Sequence, residues 1–152
     1  MTEQLAKKDN AKASQIQYGA EDASYKAAGE LEGISKLVND FYDYMDELPE
    51  AKIIRDMHPK DLTVSIDKLI CFLSGWLGGP RLFAPKYGQM SIPKVHQHLS
   101  IASKERDAWL LCMQKSANDQ PYHESFKKYL LEQLFVPAER VRQVSQDRLK
   151  SS

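Results

Sequence analysis

Residues 78–113 read GGPRLFAPKYGQMSIPKVHQHLSIASKERDAWLLCM, and this stretch decides the fold. Gly78-Gly79 lets a helix close on a left-handed cap, and Pro80 forbids its continuation. A segment punctuated by Pro85, Gly88 and Pro93 follows and reads mostly as loop over residues 83–95. His96 is presented just beyond it. Ser103 then reads as the N-cap of a new helix, with Glu105 in its first turn where a carboxylate complements the helix dipole. That helix carries Ala108, Trp109, Cys112 and Met113.

Helices flank this stretch on both sides. Before it, Leu31, Ile34, Val38, Phe41 and Met45 recur at three- and four-residue steps, which predicts a helix over residues 31–47 with one buried face. Tyr42 lies on the shoulder of that stripe, where its ring can pack while its hydroxyl points elsewhere. Pro49 ends the helix, because the residue before a proline is pushed out of helical geometry. A short helical turn is expected over residues 50–57, closed by His58-Pro59. Asp61 or Thr63 can cap the next helix, which runs to residue 77 with the stripe Leu62, Ile66, Leu69, Ile70, Leu73, Trp76 and Leu77 and with Phe72 beside it. After the stretch, residues 122–136 predict a last helix burying Phe126, Leu130, Leu134 and the aliphatic part of Lys127. Pro137 should interrupt it. No strand-like alternation occurs, so the class is all-α.

The 152 residues favour one domain with one core. Residues 1–24 read as a flexible polar arm with a loose helical piece near Ile16 and Tyr18, residues 25–136 as the folded domain, and residues 137–152 as a helical or frayed tail. Twenty-one basic and twenty-one acidic side chains cancel, so no net field gathers nucleic acid or an anionic membrane. No apolar run reaches the roughly 18 residues of a membrane span, and the N-terminal residues carry no apolar signal core. Cys71 and Cys112 sit among apolar neighbours and read as reduced, buried thiols, as expected of a cytoplasmic protein.

Four histidines, His58, His96, His98 and His123, are the candidate ligands. His96 follows a loop and precedes a helix, a place from which an imidazole can be aimed at a metal. Imidazole is a good axial ligand for haem iron. Taken alone, His96 reads more readily as a surface or satisfied histidine. His96 and His98 also form an H-x-H pair, but no third or fourth zinc ligand follows at suitable spacing. Tyr42 and Trp109 read equally as core packing, and His58 before Pro59 as a turn residue.

A group of motifs changes that balance: Phe41-Tyr42, Met57-His58-Pro59, Phe72-Leu73, Trp76, Gly78-Gly79-Pro80, Gly88, His96, Ile101 and Glu105-Arg106-Asp107-Ala108-Trp109-Leu110. With these separations the chain resembles the group II truncated haemoglobins over residues 25–134. The resemblance implies a shortened globin, a two-over-two helical sandwich around haem b. It makes His96 the proximal iron ligand and Tyr42, His58 and Trp109 the polar groups of the distal pocket, with Ser65, Leu69 and Phe72 lining the distal helix. A phenol, an imidazole and an indole N–H are all potential donors to a bound ligand carrying partial negative charge.

Two departures from the family pattern stand out. Ala28-Gly29, followed later by Gly33, replaces a Gly-Gly pair before the first long helix. Lys94-Val95-His96 replaces a lead-in richer in arginine, so the haem propionates fall to Lys94, Lys86, Arg81 or Tyr87, among which the sequence does not choose. The small ligands implied are O₂, NO, CO or peroxide. Strong distal donors suit redox chemistry or detoxification better than bulk O₂ delivery. No dinucleotide or flavin fingerprint is present, so an external reductase is expected, acting on a monomer or weak dimer. Two alternatives are a hexacoordinate haem-based sensor, in which His58 or Tyr42 ligates the iron, and a haem-free helical scaffold.

Overall fold

The computed structural model describes residues 17–89 and 99–151. Seven helices occur among them: α1 (Ala23–Ala27), α2 (Glu30–Glu47), α3 (Lys52–Asp56), α4 (Thr63–Trp76), α5 (Phe83–Tyr87), α6 (Ser103–Asn118) and α7 (Glu124–Ser151), with a 3₁₀ turn at Pro49–Ala51. No strand occurs among the described residues. α2 packs on both α4 and α6, and α6 packs on α7, which gives the two facing pairs of a two-over-two helical sandwich.

The stripe expected on α2 forms the centre of the core. Ile34, Leu37, Val38, Phe41 and Met45 are wholly buried. They meet Leu73 and Leu77 from the α4 side, Cys112, Met113 and Ala117 from α6, and Phe126, Leu130 and Leu134 from α7. Leu31 departs from the expectation: in the first turn, beside the chain reversal at Gly29, it is 40% exposed, and Leu37 takes the buried place. Ser116 sends its hydroxyl from α6 to the Leu37 carbonyl at 2.6 Å, satisfying a polar atom that helix packing would otherwise strand.

The left-handed stop at the end of α4 is present. Gly78 has φ +94, its N–H reaches the Gly75 carbonyl at 3.1 Å, and the Gly79 N–H reaches the Ser74 carbonyl at 2.8 Å. A second requirement for glycine here was not visible in the sequence. A Cβ on Gly78 would lie 1.9 Å from the Glu21 carbonyl oxygen, and one on Gly79 would lie 2.3 Å from the Tyr25 ring. The chain before α2 is seated directly on this corner. At the start of α2, Gly29 with φ +86 turns the backbone.

Four expectations need correction. Residues 83–87 form a helical turn rather than loop, because Pro85 stands in the first turn where its missing N–H costs nothing, and the rings of Phe83 and Tyr87 pack at 5.2 Å. Ser103 is the first helical residue of α6 and not its cap; Ala102 takes the cap position in extended geometry, without a side-chain cap bond. The α4 cap differs likewise: the cap position falls on Leu62, without a side-chain cap bond, while Asp61 accepts from the Thr63 N–H at 2.9 Å and the Thr63 hydroxyl at 2.6 Å. The fourth correction concerns Pro137, which lies inside α7 rather than at its end.

Contacts beyond the proline explain the continuity. Ser145, wholly buried, accepts from the Ile101 N–H at 2.7 Å and donates to the Leu99 carbonyl at 2.7 Å. Gln146 donates to the Ile101 carbonyl at 3.0 Å, and Glu139 pairs with Arg106 of α6 at 3.1 Å. These bonds offset the roughly 3 kcal/mol that an interior proline costs a helix. At the other terminus Tyr18 shares a hydrogen bond with Ser125 at 2.7 Å and packs on Phe126 and Tyr129.

Candidate functional site

α2, α3 and α4 bring Tyr42, His58 and Ser65 together. The Tyr42 ring is 6% exposed and meets the His58 ring edge-on at 5.7 Å. Its hydroxyl donates to the Ser65 carbonyl at 3.5 Å, the outer limit of such a bond, so the phenol proton is only weakly engaged. Burial pushes the Tyr42 pKa up to about 12, against the opposing pull of the Arg55 charge. A phenol in this state is a hydrogen-bond donor across the physiological pH range.

His58 is oriented by the helix that precedes it, α3. Its Nδ1 lies 2.8 Å from the Ile54 carbonyl, and because a carbonyl can only accept, Nδ1 carries the proton. In the neutral ring Nε2 then holds the lone pair. One ring N–H of His58 is therefore committed to the Ile54 carbonyl.

Trp109 of α6 is half-buried and joins the group through Phe41, whose ring lies 5.1 Å from Trp109 and 5.0 Å from Tyr42. On α4, Leu69 and Phe72 pack against the core without being fully covered, as do Ile66, Ile70 and Trp76. Phe72 and Trp76 stack at 6.1 Å. An apolar helix face left partly open in this way can accept a flat apolar group.

Lys86 and Tyr87 converge on Asp67 of α4. The Lys86 ammonium lies 2.7 Å from the Asp67 carboxylate, and the Tyr87 hydroxyl donates to the same oxygen. The Lys86 and Tyr87 hydrogen bonds hold the Asp67 pKa below the usual carboxylate range, and Lys68 sits over the Tyr87 ring at 5.4 Å. Arg81 is exposed at the corner after α4, its Cα facing Gly75. Lys94, His96 and His98 lie outside the described residues. Among the described residues no group of three or more His, Cys, Asp or Glu side chains could hold a metal ion, and no helix is long and apolar enough to cross a membrane. Cys71 and Cys112 are both buried and free, with burial pushing the Cys112 thiol up to about 11.

Two residues central to this geometry were not singled out in the sequence, Arg55 and Asp67. Both are charged residues on helices, a pattern that by itself marks only a solvated face.

Comparison with known proteins places this geometry. The family model described as bacterial-like globin matches residues 23–142. A group 2 truncated haemoglobin of Bacillus subtilis (strain 168) is 31% identical over 117 residues, covering 77% of this chain and 86% of that protein. Among solved structures, the cold-adapted truncated haemoglobin of the Antarctic marine bacterium Pseudoalteromonas haloplanktis TAC125 is 33% identical with a TM-score of 0.75, over 78% of this chain and 95% of the other. The group II 2-on-2 haemoglobin of Agrobacterium tumefaciens is 31% identical with a TM-score of 0.74, over 78% and 92%. The shared fold, the matched span and these identities make the chain a member of the bacterial-like globin family, of the group II truncated haemoglobin type, whose cofactor is haem b.

Proposed function

We propose that this globin binds O₂, with CO and NO as alternative ligands, at a haem held by His96, and that it serves O₂, NO or peroxide redox chemistry rather than bulk delivery. The observation that carries the reading is the Tyr42 phenol: buried, protonated, and bonded only at 3.5 Å to Ser65. Such a donor fits a pocket that still has a hydrogen bond to give. The partly open faces of Leu69, Phe72 and Trp76 fit a flat apolar macrocycle in the same place. When bound, the haem supplies reversible ligation of small gases and one-electron redox chemistry at its iron.

The chain's own residues set the rest. Tyr42 donates to the ligand from low-dielectric surroundings, where such a bond acts strongly. Trp109 offers an indole N–H from α6, and Phe41 packs edge-on against both its ring and that of Tyr42. His58 closes the pocket edge with one ring N–H given to Ile54. Leu69 and Phe72 exclude water, and Ser65 contributes its carbonyl to Tyr42. Lys86 and Tyr87 reach the cofactor carboxylates only by sharing or leaving Asp67, while Arg81 and Lys94 are the other cations proposed for that edge. The electron donor is an external reductase, and the cytoplasm is the proposed compartment.

Visible spectra of the ferric, ferrous and CO-bound protein test the reading. A Soret band lost in His96→Ala supports the proximal assignment, and absence of any Soret band in the parent rejects the haem-protein reading in favour of a scaffold. Tyr42→Phe should speed O₂ dissociation about 10- to 100-fold, the equivalent of one charge-assisted hydrogen bond; Trp109→Phe should act in the same direction. Unchanged rates in both reject the distal assignment. One observation favours a second reading, internal ligation: the fixed Nδ1–H tautomer of His58 places the lone pair on Nε2, the form in which imidazole ligates iron. A low-spin ferrous spectrum before CO is added distinguishes it.

A further inference from the structure

We infer that Arg55 is the positioning residue of the distal pocket, a three-point clamp that fixes His58 against Tyr42. The inference rests on the proposed distal roles of those two side chains.

The guanidinium of Arg55 faces three acceptors. Its Nε donates to Asp46 of α2, its Nη1 to the Pro59 carbonyl at 3.0 Å, and its Nη2 to the Lys60 carbonyl at 3.1 Å. Asp46 stands one helical turn after Tyr42, and Pro59 and Lys60 directly follow His58 in the chain. One side chain therefore ties the helix that carries the phenol to the loop that carries the imidazole. Ile54, its immediate neighbour in α3, takes the His58 N–H. The His58 segment is thus held from both sides by two consecutive residues of a five-residue helix.

Arginine is required for this, by geometry more than by charge. Its planar fork presents separated N–H donors in a fixed arrangement, whereas a lysine ammonium is a point donor that cannot span three acceptors on two elements. The Arg55 side chain is itself only 20% exposed, although the three bonds it makes lie at the surface. Its charge also acts on Tyr42, opposing the effect of burial on the phenol. A clamp and a field are separable, because lysine keeps the second and loses the first.

The test uses the haem-loaded protein. Infrared C–O stretching of the ferrous CO complex reads the distal field, and amide hydrogen exchange of residues 58 and 60 reads the loop. Arg55→Lys should broaden and shift the C–O band toward that of His58→Leu, speed loop exchange about tenfold, and raise the O₂ dissociation rate about fivefold. Arg55→Met should do the same. Asp46→Ala, which leaves the loop bonds but frees the guanidinium from α2, should give a smaller shift in the same direction and remains readable if the Arg55 variants do not fold. An unmoved C–O band and parent-like exchange in Arg55→Lys overturn the clamp, as does a full rescue by lysine of what methionine loses. An unmoved band in Asp46→Ala alongside misfolded Arg55 variants overturns it too. If Tyr42→Phe and His58→Leu leave the band unmoved, the distal assignment fails; if they move it and the Arg55 variants do not, only the clamp fails.

Discussion

Two prolines of this chain meet helices with opposite results. After α4 the chain turns at Gly78-Gly79-Pro80 and the helix ends; in α7 the helix runs through Pro137. The difference lies in what waits beyond each proline. At the α4 corner the turn is itself bonded, since Gly79 caps the Ser74 carbonyl and the buried Ser74 hydroxyl donates to the Pro80 carbonyl at 2.7 Å. The Glu21–Tyr25 segment then occupies the space against the two glycines. Beyond Pro137, in contrast, Glu139, Ser145 and Gln146 all find partners in or just before α6, and only a continuing helix delivers them there. A proline sets a local cost; tertiary contacts decide whether the helix bears it.

The largest expected effect breaks the first corner. Gly78→Ala combines a left-handed backbone with a Cβ 1.9 Å from the Glu21 carbonyl, and should cost about 3–5 kcal/mol of stability in denaturant titration. A loss of less than about 1 kcal/mol would show that the N-terminal segment yields easily, and the corner would then resemble Pro137 more than it differs from it. Next, Ser145→Ala strands the buried Ile101 N–H. It should cost about 2–3 kcal/mol and raise hydrogen exchange in the last turns of α7, leaving the α4 corner protected.

Pro137→Ala sharpens the comparison from the other direction. It restores a helix N–H and removes a clash, so stability should rise by about 1–2 kcal/mol, less than the full interior penalty because proline also restricts the unfolded chain. No gain would mean that α7 has already relaxed around the ring. The smallest effect comes from acid. Hydrogen bonds from Arg142, and then from Arg106, hold the Glu139 carboxyl below its ordinary value. A depressed folded pKa gives stability that is present above the unfolded value and lost as pH falls through the folded one. Exchange protection beyond Pro137 should therefore decline below about pH 4.5 in the parent and not in Glu139→Gln, while the Gly78 corner shows no such dependence.

The same division runs through the candidate site. Tyr42, Leu69, Phe72 and Trp109 were legible because each sits on a helical stripe or in a motif whose spacing survives in a single chain. Arg55 and Asp67 were not, because a charged residue on a helix looks solvated until its partners are known: carbonyls and a carboxylate from two other segments for Arg55, a lysine and a tyrosine twenty residues on for Asp67. His58 was legible as a residue of interest but not in its hydrogen bonding, since the Ile54 carbonyl accepts its proton only in the turn that α3 makes.

The amino-acid sequence determined the helical class, the core face of α2, the stop at Gly78–Pro80 and the globin motif set, since periodicity and capping are written within three or four residues of each other. The tertiary structure alone decided that α7 survives Pro137, that the chain before α2 packs on the two glycines, and that the His58 proton is given to Ile54. Those outcomes depend on groups brought together by packing, whose identity no local window of sequence contains.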